Sequence, residues 1–303
     1  MSGYKVSIII PTYNRKEALH RTLESIEAQS LERDEIQVIV ADDGSSDGTE
    51  QLLEGWAQRL HLRYVRQEDE GFRAGQARNL GIRAAEAPLC LFVDCGILLG
   101  SRAVQAHLDA HEAAGKEVAV IGYIYGFEDE SFEESVLQDL AASGVDEALA
   151  RIRSGGFTDV REPLYRELGD DLSAWPAAWV IFWSGNVSVR TQTLFRVGLF
   201  DEFYRTWGGE DTDLGLALER DGVDFALSRE AESLHYPHKE DESRQADPEE
   251  RERDFERKRD YMHAKYDTEA TALWHTCYYT ELNQKLLERR GQRLVGQEGG
   301  GAR

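Results

Sequence analysis

The chain is 303 residues long, 41% apolar and 10% aromatic, enough to bury a sizeable core as one large domain or two lobes. A formal net charge of -22 excludes a broad nucleic-acid or anionic-lipid surface, since both need basic patches, so a polyphosphate ligand has to be held locally. Three cysteines, Cys90, Cys95 and Cys277, are odd in number and lack metal-ligand spacing, which excludes a disulfide framework and a zinc site and fits a reducing cytoplasm.

The first hundred residues alternate short β-branched runs with helical patterns. KVSIII (5–10), IQVIVA (36–41), LRYVR (62–66) and LCLFV (89–93) read as strands. After the first, Leu19, Leu23 and Ile26 share a helical face, with Asn14 and Glu17 at capping-box spacing; Asp47 and Glu50 repeat that spacing ahead of Leu52, Leu53 and Trp56. GQARNLGIRAAEA (75–87) supplies a third helix. Strands alternating with helices predict a mostly parallel sheet whose ligand crevice lies at the carboxyl ends of the strands.

Beyond residue 100, a helix (about 102–114) and a strand (about 117–123) precede an acidic, mainly helical stretch at 127–173, whose FEDESFEES and ELGDDLSAW runs read as a solvated face. AWVIFWSGNVSVR (178–190) returns to strand character, EDTDLGLALERDG (210–222) to helix and VDFAL (223–227) to strand. Asp247-Pro248 is a cap and first-turn pair opening a charged helical tail to about 290, and the closing GQEGGGAR reads as disordered. No basic n-region with an apolar core opens the chain, and the longest uncharged apolar run, VAVIGYIYGF (118–127), is about half a membrane span, so a soluble protein is expected. Asn186-Val187-Ser188 matches a glycosylation sequon, which carries no weight without a secretory signal.

Four short stretches concentrate the chemistry. The first strand runs into Pro11-Thr12-Tyr13-Asn14-Arg15, which lacks the glycines that close pyrophosphate approach demands, so a Rossmann dehydrogenase is disfavoured. Thr12 and Tyr13 offer hydroxyls and a ring face to a nucleobase, although a plain βα turn with a capped helix accounts for the same residues. The second strand ends in ADDGSSDGT, where Asp42 and Asp43 can accept from a uracil N–H or a ribose hydroxyl, or simply cap the tight turn. In LFVDCGILLG, Asp94 stands between two apolar runs, a costly place for an ionised carboxylate unless it is paired, metal-bound or at the strand's open end. In WGGEDTDL, Gly208 and Gly209 let the backbone approach a ligand, and Glu210, Asp211 and Asp213 open a helix whose dipole favours acids.

In order and spacing, VSIIIPTYNR, VIVADDGSSDGT, EDEGFRAGQARNLGIRAA and LFVD resemble the nucleotide-sugar half of the inverting glycosyltransferases of family 2, which have the GT-A fold. WSGNVSVR and FDEFYRTWGGEDTDLGLAL resemble the acceptor half of the same family, especially its chondroitin-polymerase-like and galactosyltransferase-like branches. The resemblance covers roughly residues 4–240. It implies a central, mostly parallel sheet flanked by helices, with a Rossmann-like nucleotide-sugar half at 1–100, an acceptor-binding and catalytic half of the same domain at 101–240, and a helical extension with a disordered tail at 241–303.

The same resemblance assigns Pro11, Thr12, Tyr13, Asn14, Arg15, Asp42 and Asp43 to the nucleotide-sugar pocket. Arg78 organises the nucleotide end, or else merely neutralises Asp42 or Asp43. Asp94 matches the first carboxylate of the family's Asp-x-Asp, which reaches a divalent metal and the ribose; the second position is Gly96, a departure at the metal site itself. Cys95 between them is a spacer or a soft-metal ligand. Mn²⁺ or Mg²⁺ then binds through Asp94, diphosphate oxygens, water and a distal histidine, His235 or His238, weakly unless nucleotide is present. Asp211 is the implied general base, Glu210 and Trp207 position the acceptor or donor sugar, and Gly208 and Gly209 line the acceptor site. A core role is the plain alternative for Trp207.

The expected activity is that of a cytoplasmic hexosyltransferase carrying a sugar from a UDP-linked donor to a hydroxyl acceptor with inversion, in polysaccharide, glycoconjugate or natural-product biosynthesis. Saccharide, small-metabolite and peptide acceptors stay open, as does the oligomeric state; neither nucleic acid nor a transmembrane segment is expected. The missing second carboxylate keeps a non-catalytic sugar-nucleotide-binding or scaffold protein in view, against which stands the whole GGEDTD string. A sugar-1-phosphate nucleotidyltransferase needs a glycine-rich basic loop after the first strand, and PTYNRK is not one.

Overall fold

A computed structural model describes residues 3–126, 144–236 and 247–291. The FEDESFEES run, His238 and the closing GQEGGGAR lie outside the described residues. The strands are β1 (Val6–Thr12), β2 (Ile36–Asp42), β3 (Leu62–Arg66), β4 (Leu89–Val93), β5 (Ile97–Leu99), β6 (Val118–Tyr125), β7 (Asn186–Arg190) and β8 (Asp224–His235). They form one sheet in the order β3-β2-β1-β4-β7-β6-β8-β5. Pairings among β1 to β4 and between β6 and β8 are parallel, whereas β7 and β5 run against their neighbours. The sheet is therefore mixed and mostly parallel. It is continuous across residue 100, and β5 crosses to the far edge to pair with β8.

Alternation along the strands sends side chains to two buried faces. Ile8, Ile10, Val38, Val40 and Leu91 pack with Leu19 and Leu23 of α1 (Lys16–Glu27), Leu53 and Trp56 of α2 (Thr49–Trp56), and Val104 of α4 (Ala103–Ala113). On the other face, Ile9, Ile39, Cys90 and Phe92 meet Ile82 of α3 (Ala74–Ala84) and the second half of the chain. That half contributes α5 (Val145–Ser154), α6 (Glu162–Leu168), α7 (Thr191–Val197) and α8 (Glu210–Arg220). The charged tail forms α9 (Pro248–Tyr266), α10 (Glu269–Trp274) and α11 (Tyr279–Arg289), with Asp247 accepting from the Glu249 amide at 3.0 Å as the cap the sequence predicts. No described helix is long and apolar enough to cross a membrane. The three cysteines are free and buried.

Three local expectations need correction. Asn14 does not cap α1: it adopts a left-handed φ of 50° and its side chain accepts from the Ser46 amide at 2.8 Å. The amide of Lys16 donates instead to Asp47 Oδ2 at 2.8 Å, so the cap comes from the neighbouring turn, where local spacing cannot reveal it. Asp47 lies one residue before Gly48, the N-cap of α2, and neither predicted capping box forms. Residues 178–181 make a short 3₁₀ turn, Ala178–Ile181, rather than strand; Trp179, Val180 and Ile181 are fully buried, and a wholly apolar run gives no period to distinguish the two. Finally, β8 extends from Asp224 to His235, well past the predicted 227, because its far end pairs with both β5 and β6.

Candidate active site

The carboxyl ends of β1 and β2 lie side by side, Thr12 opposite Asp42, with the Asp43 amide donating to the Thr12 carbonyl at 2.9 Å. Pro11 and Thr12 are buried, while Tyr13 leaves 43% of its surface exposed and donates its hydroxyl to Asp69 at 2.9 Å. A ring presented in this way is available for stacking on a base. Asp42 is 1% exposed and already engaged: Oδ1 accepts from the amides of Gly44 (3.0 Å) and Ser45 (2.7 Å), and Oδ2 from the Tyr64 hydroxyl (2.6 Å). Asp43 accepts from Gln67 at 2.5 Å and from the Arg73 amide at 2.7 Å, and burial raises its pKa against those bonds. Both carboxylates hold their turn, as the plain reading of the sequence allows. Asn14 and Arg15 begin the path into α1, Asn14 exposed and Arg15 half-buried.

Beyond β4, the Asp94-Cys95-Gly96 turn lies against the end of β1, where the Thr12 hydroxyl donates to Cys95 Sγ at 3.7 Å. Gly96 has φ +101°, donates its amide to Thr22 Oγ1 at 3.0 Å and accepts from the Tyr236 amide at 2.7 Å. Burial pushes the Cys95 thiol up to about 12, and it donates to the Arg15 carbonyl at 3.6 Å, so it is a packed thiol rather than a soft-metal ligand. His235 pairs in register with Ile97, one residue past Gly96. Among the described residues no three His, Cys, Asp or Glu side chains gather as a metal site. The residue types present are nevertheless those a hard cation takes when phosphates fill most of its shell: the partly exposed carboxylate of Asp94, and His235 at the end of the strand that pairs with Ile97.

Arg78, one turn into α3, explains how Asp94 is tolerated. Its guanidinium is 5% exposed and lies 2.8 Å from Asp94, 3.1 Å from Glu210 and 3.8 Å from Asp211. The alternative pairing with Asp42 or Asp43 is not what the structure has. One cation thus joins the end of β4 to the start of α8. Gly209, at φ +103°, makes the sharp entry to α8 possible; a Cβ there would lie 2.7 Å from the Tyr204 ring. Asp211 Oδ1 accepts from the Ser184 hydroxyl at 2.7 Å and Oδ2 from the Ser184 amide at 3.1 Å. Burial, then the adjacent Glu210, raise the Asp211 pKa above the ordinary carboxylate range, and Arg78 opposes them. Glu210 Oε2 and Arg78 Nε are buried without a hydrogen-bond partner among the described residues.

Trp207, 46% exposed, and Gly208 precede this helix. Asp213 does not face the same cluster; it binds Lys265 at 2.7 Å and Tyr204 at 3.2 Å, anchoring α9. Ser184, which orients Asp211, has no role that the WSGN segment announces by itself. Tyr64, Gln67 and Asp69 carry no local signal either, because their contacts to Asp42, Asp43 and Tyr13 depend on which strand ends meet. A separate cleft of about 670 Å³, lined by Arg83, Asp201, Lys265 and Tyr266 among others, takes in Asp213 but neither Glu210 nor Asp211.

Comparison with known proteins bears on this arrangement. Residues 7–168 match the model of Glycosyl transferase family 2, and residues 171–239 that described as the N-terminal domain of galactosyltransferase. Validoxylamine A glucosyltransferase of Streptomyces hygroscopicus subsp. jinggangensis is 38% identical over 77% of this chain and 56% of its own length. Chondroitin synthase of Escherichia coli is 33% identical over 80% of this chain and 36% of its own length. The chain thus spans about half the length, or less, of these curated relatives. Among solved structures, Staphylococcus aureus TarS 1-349 in complex with UDP-GlcNAc superposes with a TM-score of 0.64 at 18% identity, covering 94% of this chain and 71% of that one. A mannosyltransferase of Pyrobaculum calidifontis in complex with GDP-Man and Mn²⁺ superposes with a TM-score of 0.56 at 19% identity, covering 78% and 58%. The shared fold is GT-A.

Proposed function

The chain belongs to glycosyl transferase family 2, and from that premise we propose that it transfers a sugar from a UDP-linked donor to an acceptor hydroxyl in one inverting displacement. The observation that carries this reading is the Arg78 bridge, which sets a donor-end carboxylate, Asp94, and an oriented candidate base, Asp211, around one cation. The uridine lies against Tyr13, near the turn that Asp42 and Asp43 hold. Asp211, aligned by Ser184, takes the proton of the acceptor hydroxyl as that oxygen bonds to the anomeric carbon, while the bond from that carbon to the diphosphate oxygen breaks and UDP departs. Glu210 offers its unpartnered Oε2 to a sugar hydroxyl, and Arg78 keeps the clustered carboxylates from repelling one another. Asp94 and His235 are the residues that would hold a divalent cation, Mn²⁺ or Mg²⁺, and such an ion would supply neutralisation of the leaving diphosphate.

The reading is tested by binding and turnover measured separately. A thermal-shift panel of nucleotide sugars with and without Mn²⁺ should pick out UDP-sugars; a ligand at 100 times its Kd adds about 2.7 kcal/mol of stability, a shift of several degrees for a chain this size. Asp211→Asn should keep UDP affinity and lower transfer by about 10²-fold or more. Retention of a tenth of wild-type kcat removes Asp211 from the role of base.

A further inference from the structure

The loop that carries Trp207 is held by α9, a helix outside both matched segments. Lys258, 3% exposed, donates its ammonium to the carbonyl of Trp207 at 2.7 Å and of Thr206 at 3.3 Å, and pairs with Asp254 at 2.7 Å. Asp254 also accepts from the Thr206 hydroxyl at 2.5 Å. Burial pulls the Lys258 pKa down and Asp254 resists it. A buried ammonium has to be partnered, so this clasp fixes the height of the loop above α9.

Phe255 follows the clasp's aspartate in sequence. Its ring meets the Trp207 ring edge to face, with centroids 6.2 Å apart and planes at 79°. Gly208, at φ +86°, packs against that ring, and a Cβ on it would stand 3.3 Å from Phe255 Cε1. Two half-exposed rings at right angles form a corner just before Glu210 and Asp211. A pyranose or cyclitol ring matches such a corner: the axial C–H bonds of one side point onto an aromatic face while its hydroxyls stay at the wet rim. A small linear alcohol, or a serine peptide without aromatic or proline side chains, has no comparable flat apolar face.

We propose that Phe255 is a specificity-determining residue of the acceptor site, forming with Trp207 a platform for a six-membered saccharide or cyclitol ring, and that Lys258 is the positioning residue that holds the platform in place. The inference rests on the transferase reading above and adds the acceptor class to it.

The test uses the full chain with UDP-glucose, UDP-galactose and UDP-GlcNAc as donors. Methyl β-D-glucopyranoside, N-acetylglucosamine, glucuronate and myo-inositol serve as acceptors, against a serine peptide and glycerol. Phe255→Leu, which keeps bulk but removes the ring face, should raise the ring acceptor's KM about tenfold while kcat changes less than about threefold; Phe255→Tyr should restore KM to within about threefold. UDP affinity by calorimetry should stay within about twofold in both. Lys258→Met should raise the acceptor KM in the same way; if it does not fold, the Phe255 pair decides. Equal KM values for the Leu and Tyr variants, or preference for the peptide or glycerol, overturns the inference. Wild type that cleaves a UDP-sugar with water but transfers to no ring acceptor overturns the inference alone. Wild type that neither binds UDP nor cleaves any UDP-sugar overturns the transferase reading and the inference with it.

Discussion

Gly96 occupies the position where the family's second metal carboxylate is implied, and it differs from an aspartate in more than the missing side chain. Its φ of +101° lies where L-residues rarely go, and both of its backbone groups are committed, to Thr22 and Tyr236. The turn is therefore built around glycine. Gly96→Asp should cost about 1–2 kcal/mol, as should Gly96→Ala, because the strain comes from any Cβ. Neither change should create tight nucleotide-free Mn²⁺ binding. Calorimetric melting and Mn²⁺ titration check this, and an aspartate variant as stable as wild type that binds Mn²⁺ without UDP would show that the turn adopts the family's geometry after all. Asp42 teaches the opposite lesson. It ends β2 as the sequence predicts, yet its oxygens are spent on Gly44, Ser45 and Tyr64, so any contact with uridine shares a carboxylate whose first task is to hold the turn.

Between α4 and β7 lies a buried polar chain that no motif announced. His107 meets Asn186 Oδ1 at 2.8 Å and Ser188 Oγ at 2.9 Å, and His111 meets the same hydroxyl at 2.9 Å. Asn186 donates onward to the Ala231 carbonyl at 2.8 Å and to Ser233 at 3.1 Å, linking α4 through β7 to β8. The sequon asparagine is thus wholly buried and occupied in the folded protein. Burial drives both histidines down to about 4, so the folded state keeps them neutral, whereas the unfolded chain protonates them below about 6.5. Their contribution is complete above that pH and is lost as pH falls toward 4, by about 1.4 kcal/mol per pH unit for each histidine. Urea midpoints measured from pH 7.5 to 5 should fall, and fall less in a His107→Asn, His111→Asn double variant. Equal slopes would mean that other groups carry the acid sensitivity.

Across the whole molecule, Arg78 is the tie between the segment that ends at β4 and the segment that begins α8. Arg78→Met should leave Glu210 buried opposite an uncompensated neighbour, destabilise the fold by about 3 kcal/mol and abolish transfer. Adding Glu210→Gln should recover part of the stability but not the activity. A single variant as stable as wild type would mean that water reaches the cluster and the tie is weak. Sequence alone was sufficient for the first four strands, most helices and the family resemblance, because hydrophobic period, turn residues and linked motifs act over a few neighbouring positions. It could not say that Arg78 pairs with Asp94 rather than Asp42, that Asp47 rather than Asn14 caps α1, that Ser184 aligns Asp211, or that a lysine within a charged helical run lies buried beneath Trp207. Each of those is an encounter between segments far apart in the chain. Desolvation decides it: a charge removed from water has to take whichever partner the packing brings within reach, and only the assembled sheet and helices determine which partner that is.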